Sequence, residues 1–439
     1  MKILIVGSGG REHALAWRLR QSPQLTGLWV AGGNAGTAQL ATNLAVNPED
    51  VDAVVDAATT HGIDLVVVGP ELPLALGLVD RLTAAGIPAF GPTGAAAQIE
   101  ASKGFARQIM REAGVPGPDF QVFHRQQAAL DFLQRHNRPV VVKADGLAAG
   151  KGVALCPSAE EAALAVRACM SDRIFGDAGN TVVVEEWLKG REVSVFTFSD
   201  GERLSEPVAA CDYKRVGDGD TGPNTGGMGS FAPPDFWTPA LAEAVLRTIM
   251  RPTVAALARR GTPYRGVLYA GLMLTEEGPR VLEFNCRFGD PEAQVILPLL
   301  QGDPIAIMLA CAQGQLAPGM VRWSGKPHVG VVLTSPGYPS PYETGYPISG
   351  LDAPEADSVV FHAGTRLASA PGGPRVVTSG GRVLTVVGWA DTLEGARASA
   401  YRRVKTISFP GAYHRSDIAG PRDPRQEEAW SPDPATRAS

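Results

Sequence analysis

The sequence predicts a multidomain protein of the α/β and α+β classes, with a parallel-sheet N-terminal domain, a central unit and a strand-rich C-terminal domain. Three observations support this prediction. Strand and helix patterns alternate through the first hundred residues, as in parallel sheets covered by helices. The alternation stops near residue 100, and strands predominate from about residue 329. The length of 439 residues is sufficient for about three domains.

The N-terminal domain is predicted from apolar strand segments that alternate with helical segments. Each strand ends in a segment that contains glycine or proline and polar side chains. Parallel α/β sheets bind ligands beyond the carboxyl ends of their strands, so these segments are candidate binding loops. The predicted strands are Ile3–Val6, Gly27–Ala31, Leu65–Val68 and Pro88–Phe90, and the predicted helices are Arg11–Arg20, Val51–Thr60 and Leu78–Ala85.

Beyond residue 100 the predicted strands are more often adjacent in sequence. The polar, glycine-rich segment Asp212–Gly229 is too long for an ordinary turn, which predicts a functional loop. The predicted helices are Ser102–Glu112, Ala128–His136, Ala159–Met170, Pro239–Arg259 and Thr392–Thr406. The predicted strands are Val140–Lys143, Val153–Cys156, Val182–Glu186, Glu192–Ser199, Gly266–Leu274, Val281–Asn285, Val329–Thr334, Val359–Thr365 and Arg382–Ala390.

Charge and cysteine content narrow the possible functions. A formal net charge of -5 gives no reason to expect nucleic acid or an anionic membrane as a partner. No uncharged apolar run reaches the roughly 18 residues that a membrane helix needs. The five cysteines are scattered, which indicates neither a disulfide framework nor a structural zinc site and fits a reducing cytosol. Since no signal-type leader precedes the first strand, we expect a cytoplasmic protein.

Glu283 and Asn285 form a candidate metal site. Residues two apart in a strand point to the same face, so both oxygens would converge while Phe284 faces the core. Mg²⁺ accepts such hard ligands and keeps water or substrate phosphates in its other positions. Arg287 and Asp290 follow in a turn that contains glycine and proline. Taken alone, the pair also fits a strand end beside a solvated acidic loop.

A second candidate site lies between Lys143 and Lys151, where a lysine ends a strand and a Gly/Ala loop leads to another lysine. Such a loop can place backbone N–H groups around a polyphosphate while the lysines neutralise its charge. It is not a P-loop, because Gly152 follows Lys151 where that motif has serine or threonine. Glu185 and Glu192 lie in the strands that follow and are candidates for reading adenosine. The alternative is an exposed hairpin.

The loop Gly7–Glu12 resembles a dinucleotide-binding turn only in part. Glu12 occupies the position of the third glycine, and the second strand lacks the acidic residue that binds ribose, so nicotinamide and flavin cofactors are disfavoured. Free backbone N–H groups at a helix N-terminus can instead bind phosphate, with Arg11 adding charge. A purely structural strand-to-helix turn is the alternative.

The segment Asp212–Arg215 places two cations beside the glycine-rich run Thr225–Gly229. Adjacent cations and a flexible loop suit a negatively charged reaction centre that closes over its substrates and excludes water. A solvated charged loop is the alternative.

In this order the segments resemble the phosphoribosylamine–glycine ligases (glycinamide ribonucleotide synthetases), an ATP-grasp family of purine biosynthesis. The resemblance extends from Met1 to about Ile418. It implies an N-terminal preATP-grasp domain (1–101), an ATP-grasp domain of two lobes (102–328, small lobe about 120–190) and a C-terminal domain (329–419). Residues 420–439 are predicted to be a disordered tail. The matching segments are Gly9–Ala14, Asn34–Thr37, Val68–Glu71, Lys143–Gly152, Gly219–Gly229 and Glu283–Glu292.

The resemblance implies an ATP-dependent ligase that joins glycine to 5-phosphoribosylamine through glycyl phosphate, with Mg²⁺ or Mn²⁺ as cofactor. It implies small-molecule partners, a monomer, and no role for nucleic acid or membrane. The implied metal ligands are Glu283 and Asn285, assisted by Glu292. The implied catalytic residues are Asp212, Lys214, Arg287 and Asp290. The implied ATP contacts are Lys103, Lys143, Lys151, Glu185, Leu188 and Glu192. The implied contacts to the other substrates are Gly9, Gly10, Arg11, Asn34, Gly36, Thr37, Glu71, Asn224, Thr225 and Gly226.

Two alternatives remain beside this reading. One is another ATP-grasp carboxylate–amine ligase or carboxylase with different substrates, against which the run Asn224–Gly229 argues. The other is a non-catalytic nucleotide-binding or scaffold protein, against which Lys143, Lys151, Glu283 and Asn285 argue because the residue types needed for catalysis are all present.

Overall fold

The computed structural model describes residues 1–148, 152–353, 356–370 and 373–421. The implied ATP contact Lys151 lies outside these ranges, as does the predicted tail after Pro421. Among the described residues, no helix combines the length and the apolarity needed to cross a membrane.

The N-terminal domain contains a five-stranded parallel sheet whose central strand is buried from its second residue, Ile3, onward. Side chains of this strand alternate between two core clusters, with Ile3 and Ile5 facing one and Leu4 and Val6 facing the other. The elements are β1 (Lys2–Gly7), α1 (Gly10–Leu19), β2 (Gly27–Gly32), β3 (Thr42–Leu44), α2 (Val51–His61), β4 (Leu65–Val68), α3 (Glu71–Ala75), α4 (Leu78–Ala84), β5 (Ala89–Phe90) and α5 (Gly94–Ala101). The strand order is β3–β2–β1–β4–β5.

A separate four-stranded antiparallel sheet follows. Its core is formed by apolar side chains from the strands and from two helices, including Leu133, Val142 and Val166. The elements are α6 (Lys103–Ala113), β6 (Phe120–Phe123), α7 (Gln126–His136), β7 (Val140–Ala144), β8 (Val153–Cys156), α8 (Ala159–Met170) and β9 (Val182–Glu186), with strand order β6–β9–β7–β8.

In the described residues, the remaining elements build one large sheet, three two-stranded sheets and several helices. Those up to residue 285 are β10 (Arg191–Asp200), β11 (Val208–Asp212), β12 (Arg215–Gly217), β13 (Thr221–Asn224), β14 (Gly229–Ala232), α9 (Pro239–Val245), α10 (Arg251–Arg259), β15 (Arg265–Thr275) and β16 (Gly278–Asn285). Those beyond are α11 (Glu292–Ile296), β17 (Leu300–Gln301), α12 (Pro304–Gln313), β18 (Arg322–Trp323), β19 (His328–Thr334), β20 (Ser358–His362), β21 (Thr365–Ala368), β22 (Arg375–Thr378), β23 (Arg382–Trp389) and α13 (Leu393–Val404). The two-stranded sheets are β12–β13, β17–β18 and β21–β22.

The large sheet is antiparallel and has the order β16–β15–β10–β11–β14–β19–β23–β20. Its first five strands come from residues 191–285 and its last three from residues 328–389, joined where Gly229 lies opposite Val331. The strand-rich C-terminal region therefore extends the central sheet instead of forming a sheet of its own.

Three predicted elements differ in detail. The predicted loop Asp212–Gly229 contains the hairpin β12–β13, because its backbone groups pair with each other around a Gly219–Asp220 turn. The predicted helix Pro239–Arg259 is continuous but includes a π-helical stretch at Leu246–Met250. The predicted strand Val359–Thr365 ends at His362, and Thr365 begins a different strand.

Candidate functional site

Strand β16 presents Glu283 and Asn285 at its carboxyl end. Phe284 between them is buried in the core, as the strand periodicity predicted. The neighbouring strand β15 places Gly271 opposite Glu283 and Tyr269 opposite Asn285. Neither the Glu283 carboxylate nor the Asn285 amide forms a hydrogen bond or ion pair with any described residue. Their oxygens are therefore available to a ligand.

Three lysines keep the Glu283 carboxylate ionised. Burial alone would raise its pKa, but the charges of Lys214, Lys143 and Lys103 lower the pKa below its ordinary value. Lys103 also donates from Nζ to the carbonyl oxygen of Gly146 at 3.1 Å. The site thus combines one carboxylate with several cations, an arrangement that suits a polyphosphate carrying a divalent ion.

Lys143 is held by a buried ion-pair network. Its Nζ lies 2.8 Å from Glu185 Oε2 and donates to the carbonyl oxygen of Leu282 at 2.9 Å. Arg107 Nε and Nη2 donate to the two oxygens of Glu185 at 2.6 and 2.8 Å. Burial alone would raise the pKa of Glu185, but Lys143 and Arg107 lower it to about 2. Both carboxylate oxygens are occupied, so the geometry does not support the expected contact of the Glu185 side chain with adenosine.

The remaining expected ATP contacts lie near the junction of the two antiparallel sheets. Leu188 follows β9 and is buried. Glu192 Oε2 accepts a hydrogen bond from Lys214 Nζ at 2.5 Å, and these side chains are 46 % and 41 % exposed. Burial alone would lower the pKa of Lys214, but Asp212, Glu192 and Glu283 raise it well above its ordinary value. Lys214 is therefore a persistent cation within reach of solvent.

Asp212 lies at the end of β11, close to this lysine. Burial raises the pKa of Asp212 to about 7, with Glu292 and Glu192 adding to the effect and Lys214 opposing it. Glu292 is itself buried and accepts a hydrogen bond from Tyr269 Oη at 3.0 Å. Asp212 therefore changes charge within the physiological pH range.

Arg287 lies between two carboxylates of the N-terminal domain. Its Nε donates to Glu71 Oε2 at 3.1 Å and its Nη2 to Glu100 Oε1 at 2.7 Å. Burial alone would raise the pKa of Glu71, but Arg287 and Arg11 lower it to about 2. Burial raises the pKa of Glu100, although Arg287 and the backbone N–H of Cys286 oppose that rise. The guanidinium thereby joins the N-terminal domain to the strand that carries Glu283.

Asp290 and the glycine-rich loop are connected by Arg382 of β23. Arg382 Nη2 lies 3.3 Å from Asp290 Oδ1, and Nη1 donates to the carbonyl oxygens of Asp290 at 2.6 Å and Gly226 at 2.5 Å. Thr225 donates from N and Oγ1 to the carbonyl oxygen of Lys214 at 2.7 and 2.9 Å. Asn224 is exposed at the end of β13. Arg382 thus connects the loop at Gly226 to Asp290.

The N-terminus of α1 differs from the expected phosphate site. The backbone N–H of Gly9 donates to Glu12 Oε2 at 2.6 Å, and that of Arg11 donates to Asp290 Oδ2 at 3.2 Å. The Arg11 guanidinium is buried and donates from Nε to Glu12 Oε1 at 2.6 Å. Carboxylates thus accept hydrogen bonds from these two N–H groups and from this guanidinium, and the role of the loop in phosphate binding stays a prediction. Gly10 begins α1.

The loop Asn34–Thr37 is fixed by the Asn34 side chain. Its Nδ2 donates to the carbonyl oxygens of Ser8 at 3.0 Å and His362 at 2.9 Å, while its Oδ1 accepts from the N–H groups of Gly36 and Thr37 at 2.9 and 3.0 Å. Thr37 is fully buried. The Asn34 side chain therefore shapes the loop through these hydrogen bonds.

A cavity of about 420 Å³ lies between these N-terminal loops and the C-terminal region. Residues of the N-terminal loops, among them Gly9 and Gly33, line it together with Arg382 of β23. Its lining residues are Ser8, Gly9, Gly33, Asn34, Asp290, Tyr338, Tyr342, Ala363, Gly364, Thr365, Ser379, Gly381 and Arg382.

The donor set at Glu283 and Asn285 fits a hard divalent cation, since both side chains offer oxygens that are free of protein hydrogen bonds. Within the described residues, no group of three or more His, Cys, Asp or Glu side chains is placed to hold a metal ion. A cation here would therefore need water and phosphate oxygens for its other ligands, as Mg²⁺ commonly does.

Sequence reasoning did not identify four charged residues that hold this site together. Glu12, Glu100 and Arg107 lie in or next to predicted helices, and Arg382 lies at a predicted strand end. Glu100, Arg107 and Arg382 each pair with a residue that is distant in sequence, whereas Glu12 pairs with its neighbour Arg11. The only local signal was charge within otherwise apolar segments, which a single sequence does not distinguish from a solvated face.

Comparison with known proteins gives a consistent assignment over most of the chain. The family models of phosphoribosylglycinamide synthetase match residues 1–100 (N domain), 101–293 (ATP-grasp (A) domain) and 328–421 (C domain). A phosphoribosylamine–glycine ligase from Nostoc sp. is 48% identical over 425 residues, 95% of this chain and 99% of that protein. The trifunctional purine biosynthetic protein adenosine-3 of Gallus gallus is 48% identical over 95% of this chain but only 42% of its own length.

Solved structures agree with this assignment. The crystal structure of phosphoribosylamine–glycine ligase from Thermotoga maritima matches with a TM-score of 0.82 and 33% identity, over 95% of this chain and all of that one. A biotin carboxylase from Campylobacter jejuni has a TM-score of 0.73 at 15% identity over 94% of this chain and 92% of its own, which shows a shared fold alone. These matches confirm the predicted ATP-grasp fold, and the chain belongs to the phosphoribosylglycinamide synthetase family, as the sequence resemblance predicted.

Proposed function

We propose that this protein joins glycine to 5-phosphoribosylamine to give glycinamide ribonucleotide, with ATP converted to ADP and phosphate. The observation that carries the proposal is the family match over all three regions together with an ionised Glu283 surrounded by lysines. The relatives' names supply the substrates, and the site supplies groups suited to phosphoryl transfer.

The chemistry requires activation of glycine, because a carboxylate is a poor electrophile. Phosphorylation by ATP gives glycyl phosphate, and the amine of phosphoribosylamine then displaces phosphate. Phosphoryl transfer depends mainly on positioning and on neutralisation of charge. Lys103 and Lys143 are proposed to neutralise the triphosphate, and Lys151 is kept as a proposed third cation. Lys214 is proposed to stabilise the acyl phosphate.

Glu283 and Asn285 are the proposed metal ligands, with Glu292 close by. When bound, Mg²⁺ or Mn²⁺ would supply positive charge that reduces the repulsion between the triphosphate and the attacking carboxylate. The backbone of Leu188 and the exposed Glu192 side chain are proposed to contact adenosine. This role goes to Glu192 and not to Glu185 because only Glu192 has an accessible carboxylate.

Phosphoribosylamine is proposed to bind in the cavity between the N-terminal loops and Arg382. Gly9 and Asn34 line this cavity, and the Arg382 guanidinium would offer a positive charge to the phosphate. Glu71, Asn224, Thr225 and Gly226 remain proposed contacts at its edges. The amine end would point toward Asp290, which also lines the cavity and whose pKa is lowered by Arg382 and Arg11 against the effect of burial.

We also propose that the enzyme acts as a cytoplasmic monomer with no nucleic-acid or membrane partner. One chain supplies all of the proposed site, and the five cysteines are free thiols, as in a reducing compartment. The division into domains at residues 1–101, 102–328 and 329–419 remains a proposal. Light scattering at assay concentration measures the oligomeric state.

ADP release is the direct test of the proposed reaction. Purified protein would be incubated with ATP, Mg²⁺ and glycine, with and without freshly generated phosphoribosylamine, while mass spectrometry follows glycinamide ribonucleotide. We expect ADP and product together only when all substrates are present. ADP with a different amine and carboxylate pair would indicate another ATP-grasp ligase. ATP binding without turnover on any pair would indicate a non-catalytic protein.

The raised pKa of Asp212 predicts a pH dependence. If Asp212 binds the ammonium of glycine, only its ionised form does so, and we expect kcat/KM for glycine to rise with pH through a midpoint of about 7. Below that midpoint the value should fall by about ten-fold per pH unit. The Asp212→Asn variant should lose this dependence, whereas Asp131→Asn, on the exposed face of α7, should retain it. An unchanged profile in Asp212→Asn would assign the ammonium to another group.

A further inference from the structure

The C-terminal end of the described chain is fastened to the hairpin β12–β13. We call residues 413–417 the clasp segment and residues 215–224 the substrate hairpin. The Tyr413 Oη donates to the carbonyl oxygen of Val216 at 3.1 Å. The backbone N–H of Ser416 donates to Asp218 Oδ1 at 2.8 Å, and the Ser416 hydroxyl donates to Asp218 Oδ2. The two segments therefore meet along the hairpin and at its tip.

Arg415 is the centre of this contact. Its Nη1 donates to Asp220 Oδ1 at 2.8 Å and to the carbonyl oxygen of Arg215 at 3.0 Å. Its Nε and Nη2 donate to the two oxygens of Asp417 at 2.7 and 2.6 Å. Asp417 Oδ2 in turn accepts from the backbone N–H of Gly219 at 2.9 Å. The Arg415 guanidinium thus connects the clasp segment to β12 and to the turn between β12 and β13.

Because Arg415 is buried, its hydrogen bonds constrain the positions of its partners. Its side chain is only 1 % exposed, whereas those of Asp220 and Asp417 are 50 % and 34 % exposed. A fork of charge-assisted hydrogen bonds made by a buried guanidinium fixes its partners in both distance and orientation. Two residues of α13 hold the clasp segment from behind, since Tyr401 Oη donates to the carbonyl oxygen of Arg415 at 2.8 Å and Arg397 Nη2 to that of Ser416 at 2.7 Å.

The other end of the substrate hairpin reaches the reaction centre. Lys214 immediately precedes it and Thr225 immediately follows it, and Thr225 closes its base by donating to the carbonyl oxygen of Lys214 at 2.7 Å. The Lys214 ammonium pairs with Glu192 and lowers the pKa of Glu283. A displacement of the hairpin therefore moves Lys214 relative to both carboxylates.

We infer that Arg415 is a positioning residue for the ligase reaction. It holds the substrate hairpin against the C-terminal region and thereby places Lys214 beside Glu283. The inference rests on the proposed function for its catalytic part, whereas its structural part concerns the hairpin alone. The substrate hairpin lies within the segment that was predicted to close over the substrates, and these contacts hold it in place next to Lys214.

The test compares Arg415→Ala and Arg415→Lys with the wild-type protein. Hydrogen exchange read by mass spectrometry should show at least roughly ten-fold faster exchange in residues 215–224, because charged hydrogen bonds are lost. We expect kcat to fall on the order of 100-fold, since a displacement of about 1 Å at a reacting group has that effect. ATP binding in the absence of the other substrates should be unchanged. Arg402→Ala, on the exposed face of α13, is the matched control and should match the wild-type protein in each readout.

A second variant guards against a general loss of folding in Arg415→Ala. The double change Asp218→Ala and Asp220→Ala removes the hairpin's own side of the contact at exposed positions. It should accelerate exchange in residues 215–224 and lower kcat while the melting temperature stays within a few degrees of wild type. Rapid exchange of the hairpin with unchanged kcat would overturn the inference, as would unchanged exchange in both variants.

The outcomes also separate this inference from the proposed function. If the wild-type protein makes no glycinamide ribonucleotide, the proposed function fails. The inference is then judged by acetylation of Lys214, followed by mass spectrometry, which should be several-fold faster once the hairpin is released. Equal acetylation rates in wild type and in the Asp218→Ala, Asp220→Ala variant would overturn it.

Discussion

Replacement of Glu283 by alanine is expected to reduce turnover by about 10³-fold or more while leaving the protein folded. The physical reason is that three lysines stabilise the charge of Glu283, while this carboxylate forms no hydrogen bond or ion pair with a described residue. Loss of a group that interacts directly with developing charge typically costs 10²–10³-fold, and loss of a metal contact adds to this. Stability should change little, because no protein hydrogen bond from the described part of the chain is broken.

Two further variants refine this result. Glu283→Asp keeps a carboxylate on a shorter side chain, so its turnover should be measurable and should increase with Mg²⁺ concentration. Glu276→Ala lies in the exposed turn between β15 and β16 and should behave as wild type. Melting temperature and steady-state turnover would be recorded for each protein. A large fall in melting temperature for Glu283→Ala would instead make Glu283 a structural residue.

The position of Glu283 was predictable because it follows from a local rule. The period of two along a strand placed Glu283 and Asn285 on one side and Phe284 on the other, and the structure has Phe284 in the core. The same rule, with apolar runs bounded by glycine, predicted strands such as Val182–Glu186 at their observed limits. Local patterns succeed where the neighbouring residues determine the environment.

Other strands were not predictable because neighbouring strands create them. The segment Gly229–Ala232 has low strand propensity, yet it is fully buried as β14 between β11 and β19. Its backbone groups bond to two flanking strands, and this pairing outweighs the weak local preference. No local sequence pattern indicated that this strand connects the central and C-terminal parts of one sheet.

Charged side chains were the least predictable, because their roles depend on distant partners. Glu185 was expected to read adenosine, but Arg107, 78 residues away, occupies both of its oxygens. The Arg11 guanidinium was expected to bind phosphate, but it is paired with Glu12. Sequence shows which charges exist and roughly where they lie along an element. It does not show which of them are already neutralised within the protein.

Arg287→Ala is expected to destabilise the protein by about 3–5 kcal/mol and to reduce turnover by about 10²-fold or more. Arg287 is only 17 % exposed and lies between Glu71 and Glu100, so its removal leaves the buried Glu100 carboxylate without its cation, and such a loss is strongly destabilising. The catalytic loss is expected because the variant removes the cation to which we assign, as a proposal, the stabilisation of the acyl phosphate. Chemical denaturation measures the first effect and ADP release the second. The exposed pair Arg81–Asp52 provides a control, and Arg81→Ala should leave both unchanged.

The pH dependence of this destabilisation has a definite sign. In wild type the pKa of Glu71 is lowered to about 2, mainly by Arg287 against burial, so its stabilisation is complete above the unfolded pKa of about 4.3 and is lost as pH falls toward 2. In the variant the pKa of Glu100 rises further, so the folded state binds a proton more strongly than the unfolded state. Its stability therefore decreases as pH rises above about 4.3. Because the Glu71 contribution is already complete at pH 5, it is the Glu100 effect that makes the difference between wild type and Arg287→Ala larger at pH 8 than at pH 5.

The double variant Arg287→Ala, Glu100→Gln separates the two roles of Arg287. An amide at position 100 has no charge to leave unpaired and can still accept the hydrogen bond from the Cys286 N–H, so most of the stability should return. Turnover should not return, because no cation replaces the guanidinium near the acyl phosphate. Recovery of both stability and turnover would mean that Arg287 serves only to hold the N-terminal domain against β16. Recovery of stability alone would leave its charge as the part that the reaction needs.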